Sequence, residues 1–364
     1  MFSFLKRKPA PLLTFNQRVA VFWKWFVTVA PRFYSSIETR NSASLADETS
    51  AKVNEIMPGL GWVFGPGREG QGHSLTLTGE GNIHRQLLTL QWLSQAPAIP
   101  GWTFYAARQP DTIKGRTIEM LEISFDPKEI WVTPTINAES ENFDLTIWHP
   151  AWVKLDESQK YSVVFLFLDE ALGEYGTDRW IGEIKFGRDQ LKGSFPLEEF
   201  ADYVSRTARG KGWKATVPGE TYTLFQTKSS DGDFPRADVL TQSTAVPKLF
   251  QEFMHSSGNI PDPLAGSGAD YVYVSIQRDF FPKGDEVDTR GKIADAIEDQ
   301  LKPLSGGRCI GGAHGVERCY IDLLLFDGPR SLNAVQLALK AQNVPPGTMI
   351  EYFAREKTGR RIAL

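Results

Sequence analysis

The chain has 364 residues, 41% of them hydrophobic and 12% aromatic, with two cysteines and a formal net charge of -4. That length and apolar content predict a soluble globular protein with one large core or two or three separate ones, and two cysteines are too few for a disulfide framework. A reducing cytoplasm is the expected compartment. The start, MFSFLKRKPAPLL, lacks the long uncharged stretch of a secretory signal, and the apolar run from Val19 to Pro31 is broken by Lys24 and too short to span a bilayer. Residues 1 to 40 hold seven Lys/Arg against Glu38, and residues 355 to 364 hold four against Glu356, so the body between them is strongly acidic. An acidic body argues against specific nucleic-acid binding. The basic ends offer contact with an anionic surface, although solubilising charge is their plainer reading.

From Phe15 to about Ile37 the steps between Phe22, Trp25, Phe26, Ala30 and Phe33 predict a helix whose aromatic stripe packs on the rest of the protein. A membrane interface is the alternative use of such a stripe. Residues 41 to 108 predict helix (Leu45 to Met57), strand (Gly61 to Phe64), strand (Ser74 to Thr78), helix (Ile83 to Ser94) and strand (Trp102 to Ala106). In the middle, Ile123 to Phe125, Trp131 to Ile136, Phe143 to Trp148 and Trp180 to Phe186 read as strands. Ser158 to Leu172, Leu197 to Ala208 and Val246 to His255 read as helices. The segment SSGNIPDPLAGSGA then has linker composition.

Beyond it, Tyr271 to Gln277, Lys292 to Leu301, Cys309-Ile310, Cys319 to Phe326, Leu332 to Ala341 and Met349 to Phe353 give strand, helix, strand, strand, helix, strand. This is the ferredoxin-like (βαββαβ) order, in which two helices cover one face of an antiparallel sheet. At a constant offset of 247 residues, Gly65, Gly81, Leu90 and Arg108 meet Gly312, Gly328, Leu337 and Arg355, which makes the N-terminal half a candidate distant repeat of that domain. The expected class is α+β, antiparallel sheets covered by helices. The expected division is a basic aromatic helix (1-40), an α+β domain (41-228), a linker with a short helix (229-268) and a ferredoxin-like domain (269-364).

Three stretches are candidates for chemistry. GGRCIGGAHGVERC, Gly306 to Cys319, holds both cysteines. Read as a hairpin bent at His314, it sets Cys309 and Cys319 opposite each other, a candidate redox pair if they are not merely structural. It lacks the fourth ligand and spacing of a zinc site. GPGREG, Gly65 to Gly70, matches a dinucleotide-binding pattern literally but is followed by a strand, so it reads as a hairpin connection. LDEALGEYGTDRWIGEI, Leu168 to Ile184, groups Asp169, Glu170, Glu174 and Trp180, the candidate binding residues. Glu170 and Glu174 share a helix face at like-charge spacing, suited to a cation or to paired acid and base, while Gly173 reads as the terminus of a solvated helix end. No metal, cofactor or catalytic residue is assigned.

FWKWFVTVAPRFY, GEGNIHRQLLTLQWLSQAPAIPGWTFYAARQP and VVFLFLDEALGEYGTDRWIGEI together resemble a family of bacterial proteins classed as a domain of unknown function, over roughly residues 15 to 190. Residues 269 to 355 are similar in predicted topology to regulator of ribonuclease activity B, a group of small ferredoxin-like inhibitors. The resemblance implies a cytoplasmic bacterial protein, and no functional residue carries over. The expected function is non-catalytic and inhibitor-like: binding of a protein partner, basic to suit the acidic body. The alternatives are a metal-dependent hydrolase built on Asp169 and Glu174, and a membrane-surface scaffold that uses the N-terminus.

Overall fold

A computed structural model describes residues 12-229 and 232-364. The chain divides into two units, the first built from residues 1-60, 94-99 and 219-364, the second from residues 61-93 and 100-218. Of the residues expected in other segments, the described ones at 12-60, 219-229 and 232-268 group with the C-terminal domain.

Helix α1 (Phe15–Glu38) starts at a capping box, in which the Thr14 hydroxyl accepts from the Gln17 amide and the Gln17 side chain accepts from the Thr14 amide. Phe15, Val19, Phe22, Trp23, Phe26, Ala30 and Phe33 form its buried stripe, as the helical spacing predicts, whereas Trp25 reaches helix α2 (Ala46–Ile56) and donates to Glu48. The first turn of α1 is anchored inside unit 1, with Phe15 donating its amide to Gly268 O and Thr14 its hydroxyl to Asp327. Among the described residues no helix is long and apolar enough to cross a membrane. Lys6, Arg7 and Lys8, on which the membrane-surface reading partly rests, lie outside the described residues.

Unit 2 opens with β1 (Gly61–Pro66), β2 (His73–Thr78), α3 (Ile83–Ser94) and β3 (Trp102–Tyr105), in the sheet order β1-β2-β3. GPGREG is the connection of the antiparallel β1-β2 hairpin, and β2 pairs with β3 in parallel. A short hairpin follows, β4 (Ile118–Met120) and β5 (Ile123–Phe125). The rest comprises β6 (Trp131–Asn137), β7 (Asn142–Trp148), α4 (Glu157–Leu172), α5 (Glu174–Trp180), β8 (Ile181–Phe186), β9 (Phe195–Pro196) and α6 (Phe200–Lys211). The second sheet runs β8-β7-β6-β9, and α4 with α5 make the crossover that lets β8 lie parallel to β7. Phe143, Leu145 and Ile147 alternate toward the core formed with Val163, Val164, Phe167 and Leu168 of α4 and with Phe200 and Val204 of α6.

Unit 1 resumes with β10 (Thr223–Gln226), β11 (Val239–Thr244), α7 (Pro247–His255), β12 (Asp270–Gln277), α8 (Glu286–Leu301), β13 (Gly307–Gly315), β14 (Arg318–Leu325), α9 (Gly328–Ala341), β15 (Met349–Tyr352) and β16 (Ile362–Ala363). The strands form one seven-stranded sheet, β10-β11-β13-β14-β12-β15-β16, antiparallel at every pairing. β12 to β15 follow the predicted order of strands and helices. Val272, Val274 and Ile276, with Ile321, Leu323 and Leu325, face Ile293, Ile297, Val335 and Leu339 of α8 and α9. Each such side chain contributes roughly 1.5–3 kcal/mol by leaving water.

The expected linker, 229-268, is structural instead. β11 is hydrogen-bonded into the sheet, α7 buries Leu249, Phe250 and Phe253, and the segment after it buries Ile260, Leu264 and Ser267. The expected repeat does not extend to the strand order. In the C-terminal segment β12 stands between β14 and β15; in the N-terminal segment β2 and β3 pair directly, with no equivalent strand among the described residues. Its helix α2 belongs to unit 1 while β1 to β3 belong to unit 2.

Candidate functional site

The acidic segment of unit 2 folds differently from the expected single helix end. α4 begins at a capping box of Asp156 and Gln159 and stops at Gly173, whose φ of 71° and ψ of 162° break the helix. Glu174 then starts α5, so it does not share a helix face with Glu170. It turns inward, 3% exposed, and accepts from the Thr78 hydroxyl at 2.5 Å, the Gln86 side-chain amide at 3.0 Å and the Gly81 backbone amide at 3.2 Å. Gln86 also donates to Asp178 at 2.6 Å. These bonds, with Tyr175 donating to Ala106 O, tie α5 to the β2-α3 turn and to the exit of β3.

The remaining charges grade outward. Asp169 is half-buried, and burial raises its carboxyl despite a hydrogen bond from Thr177 and the nearby Arg108. Asp178 lies at the exposed edge, yet partial burial of the carboxyl itself, with the charges of Glu174 and Asp169, lifts it to about 6 against the Gln86 hydrogen bond. Glu170 stays at the surface and pairs with Arg116 at 3.2 Å. Trp180 is 8% exposed within the core, with the Arg179 guanidinium 4.5 Å from its ring. Among the described residues no group of three or more His, Cys, Asp or Glu is placed to hold a metal. Of the four predicted binding residues, Glu174 and Trp180 therefore hold the fold, and Asp169 and Glu170 remain near the surface.

The outward side of α4 carries an exposed aromatic row that was not among the expected binding residues. Tyr161 and Phe165 stack at 6.1 Å, and Tyr161, Phe165 and Leu166 are 36%, 39% and 49% exposed. Phe186 of β8 meets the Tyr161 ring edge-on at 4.9 Å, and Lys160 covers its face. Glu157 lies at one end of this row, Asp169 and Glu170 at the other. Unit 2 as a whole holds 16 Lys/Arg against 21 Asp/Glu.

In unit 1 the cysteine hairpin is longer than expected and turns elsewhere. β13 continues through His314 to Gly315, and the turn is Val316-Glu317. The glycines read as a bend are strand glycines that admit close neighbours: a Cβ on Gly312 would fall 2.6 Å from Tyr320 O. Cys309 consequently pairs with Leu323 and Cys319 with His314. Four residues of β14, about 13 Å, separate the two positions, beyond the reach of a disulfide. Both thiols are free and buried under α8 and α9. Burial pushes Cys309 far up and Cys319 to about 11, and Cys319 Sγ lies 3.3 Å from His314 Nδ1, whose ring burial and Arg290 hold at about 4. An uncharged thiol beside an uncharged imidazole is a packed pair, the opposite of an activated one.

The sheet face opposite α8 and α9 holds an assembly that sequence reading missed. Arg236, at φ 68°, precedes β11 and donates from Nη1 to Asp322 of β14 at 2.7 Å and from Nη2 to Gln242 of β11 at 2.6 Å. Gln242 in turn donates to Asp322 at 2.9 Å. The rings of Tyr273, Tyr320 and Phe353 stand 5.1, 4.8 and 5.1 Å from the guanidinium. Beside it opens a cleft of about 670 Å³, lined by Asp238, Ser275, Arg318, Tyr320, Glu351 and Arg361 among others. Burial raises the Tyr273 and Tyr320 phenols far above their ordinary range. No spacing rule connects Arg236 to Asp322, so no signal in one sequence finds them. The aromatic row does have a signal: SVVFLFL is apolar on more of the helix than one buried stripe needs.

Searches of protein families, of curated proteins and of solved structures return no match to this chain. Both family resemblances rest on the sequence patterns alone.

Proposed function

We propose that the chain is a non-catalytic binding protein of inhibitor-like type, which docks a basic protein partner on the outward face of α4. The observation that carries this reading is the exposed row Tyr161, Phe165 and Leu166 on a helix whose other face fills the core of unit 2. Aromatic side chains supply large contact area at low conformational cost and are favoured anchors of interfaces. The acidic excess of unit 2 supplies steering toward a partner of opposite sign, an effect that weakens as salt rises. The buried clasp of Glu174 with Thr78 and Gln86 supports the reading by holding the α4-α5 corner rigid.

The test is affinity capture from the source cell at low and moderate salt, with wild type beside a Tyr161→Ser, Phe165→Ser, Leu166→Ser variant whose melting temperature is checked. One stoichiometric basic partner, lost with salt and lost with the variant, supports the reading. Equal capture by both forms, or no partner at either salt, overturns it.

A further inference from the structure

The seven-stranded sheet of unit 1 ends in two different edges, β10 and β16. β16 is two residues long and follows Arg360 and Arg361, the short and charged form that blunts a sheet edge against further pairing. β10 lacks that protection. From Thr221 to Thr227 the chain carries no charge, proline or glycine, and Tyr222 and Leu224 are 49% and 68% exposed.

The direction of the β10 backbone groups follows from its ladder. The Thr227 amide donates to Leu240 O, and in the same register Phe225 lies opposite Gln242 and Thr223 opposite Thr244, so these alternate residues bond to β11. Tyr222, Leu224 and Gln226 therefore turn their N–H and C=O groups the other way, along an edge that no strand covers among the described residues. An added extended strand completes that ladder. Phe225 packs on Phe250 of α7 at 5.2 Å, which holds β10 extended before anything pairs with it.

The edge is complementary to itself. In an antiparallel pair centred on Leu224, that residue meets Leu224 of a second copy as a hydrogen-bonded pair, and Tyr222 meets Gln226 of the second copy. The two exposed leucines then cover each other at the centre. Glu220, just before the strand, comes level with Lys228 of the second copy, just after it, so both ends of the ladder join opposite charges. Sliding the register by two residues either way takes Glu220 out of line with Lys228.

We propose that β10 pairs with β10 of a second copy, antiparallel about Leu224, and joins the two sheets across a two-fold axis. The experiment is sedimentation velocity of the full chain from about 1 to about 200 μM at low salt. The wild type passes from monomer to dimer within that range. Gln226→Pro removes an outward N–H and no bond to β11, and stays monomeric. Lys228→Glu weakens association about tenfold or more, and Glu220→Lys combined with Lys228→Glu restores it. The proposal is overturned if the wild type is monomeric throughout, or if Gln226→Pro melts like wild type and still dimerises. It is equally overturned if Lys228→Glu associates like wild type, or if the double reversal recovers nothing. None of these outcomes bears on the α4 face, which belongs to unit 2.

Discussion

Arg236 and Asp322 lie 86 positions apart in the chain and meet at 2.7 Å, with side chains 0% and 4% exposed. A charge pair this deep is held by Gln242 and three aromatic rings, and its removal by halves is what the fold tolerates least. Asp322→Ala strands the guanidinium and costs about 3–5 kcal/mol in urea denaturation, whereas the paired change Arg236→Met with Asp322→Leu recovers most of that loss. A loss below about 1 kcal/mol for Asp322→Ala, the range of an exposed ion pair, contradicts the assignment.

The Asp178 carboxyl gives unit 2 a pH signature. Its level of about 6 in the fold, above an ordinary 3.8, means that the folded protein holds the proton more tightly. The stability this provides is complete below 3.8 and lost as the pH rises through about 6. Asp178→Asn keeps an acceptor for Gln86 and removes the charge beside Glu174. It melts higher than wild type at neutral pH, and the gap closes on acidification; a gap that does not change with pH rules the cause out.

Both thiols are shielded by α8 and α9, and Cys319 titrates only near 11. Iodoacetamide labelling of the native protein is accordingly slow at both sites and becomes fast in urea, and oxidation produces no Cys309–Cys319 bridge. Rapid native labelling of either thiol, or that bridge in a peptide map, contradicts the strand register.

At Gly173 the backbone sits at φ 71°, and a Cβ would fall 2.9 Å from Arg108 O and from the Pro110 ring. Gly173→Ala therefore strains both chain and neighbours, by about 1–3 kcal/mol. It also loosens the corner that aims Glu174 inward. A melting curve identical to wild type removes Gly173 as the cause of the α4-α5 break.

Elements whose periodicity is local were legible in the sequence. α3 spans Ile83–Ser94 as its apolar spacing predicts, and β12, β14, α9 and β15 lie within a few residues of their expected places. Local signals that serve two purposes misled. Glycines 311, 312 and 315 mark close strand packing in β13 but read as a bend, and Gly173 ends the helix as read, but at a buried corner and not a solvated end. Contacts formed by distant residues left no trace: Glu174 with Thr78, Arg236 with Asp322, and the joining of β11 to β13 are tertiary facts.

The most direct test of the binding reading is photocrosslinking in the source cell, with benzoylphenylalanine replacing Phe165 on α4 and, in a second strain, Leu337 on α9. Phe165 and Leu337 are both exposed, at 39% and 52%, and sit in different units. The account predicts one discrete adduct with a basic protein from position 165 and none from position 337. No adduct from position 165, or the same adduct from both, contradicts it.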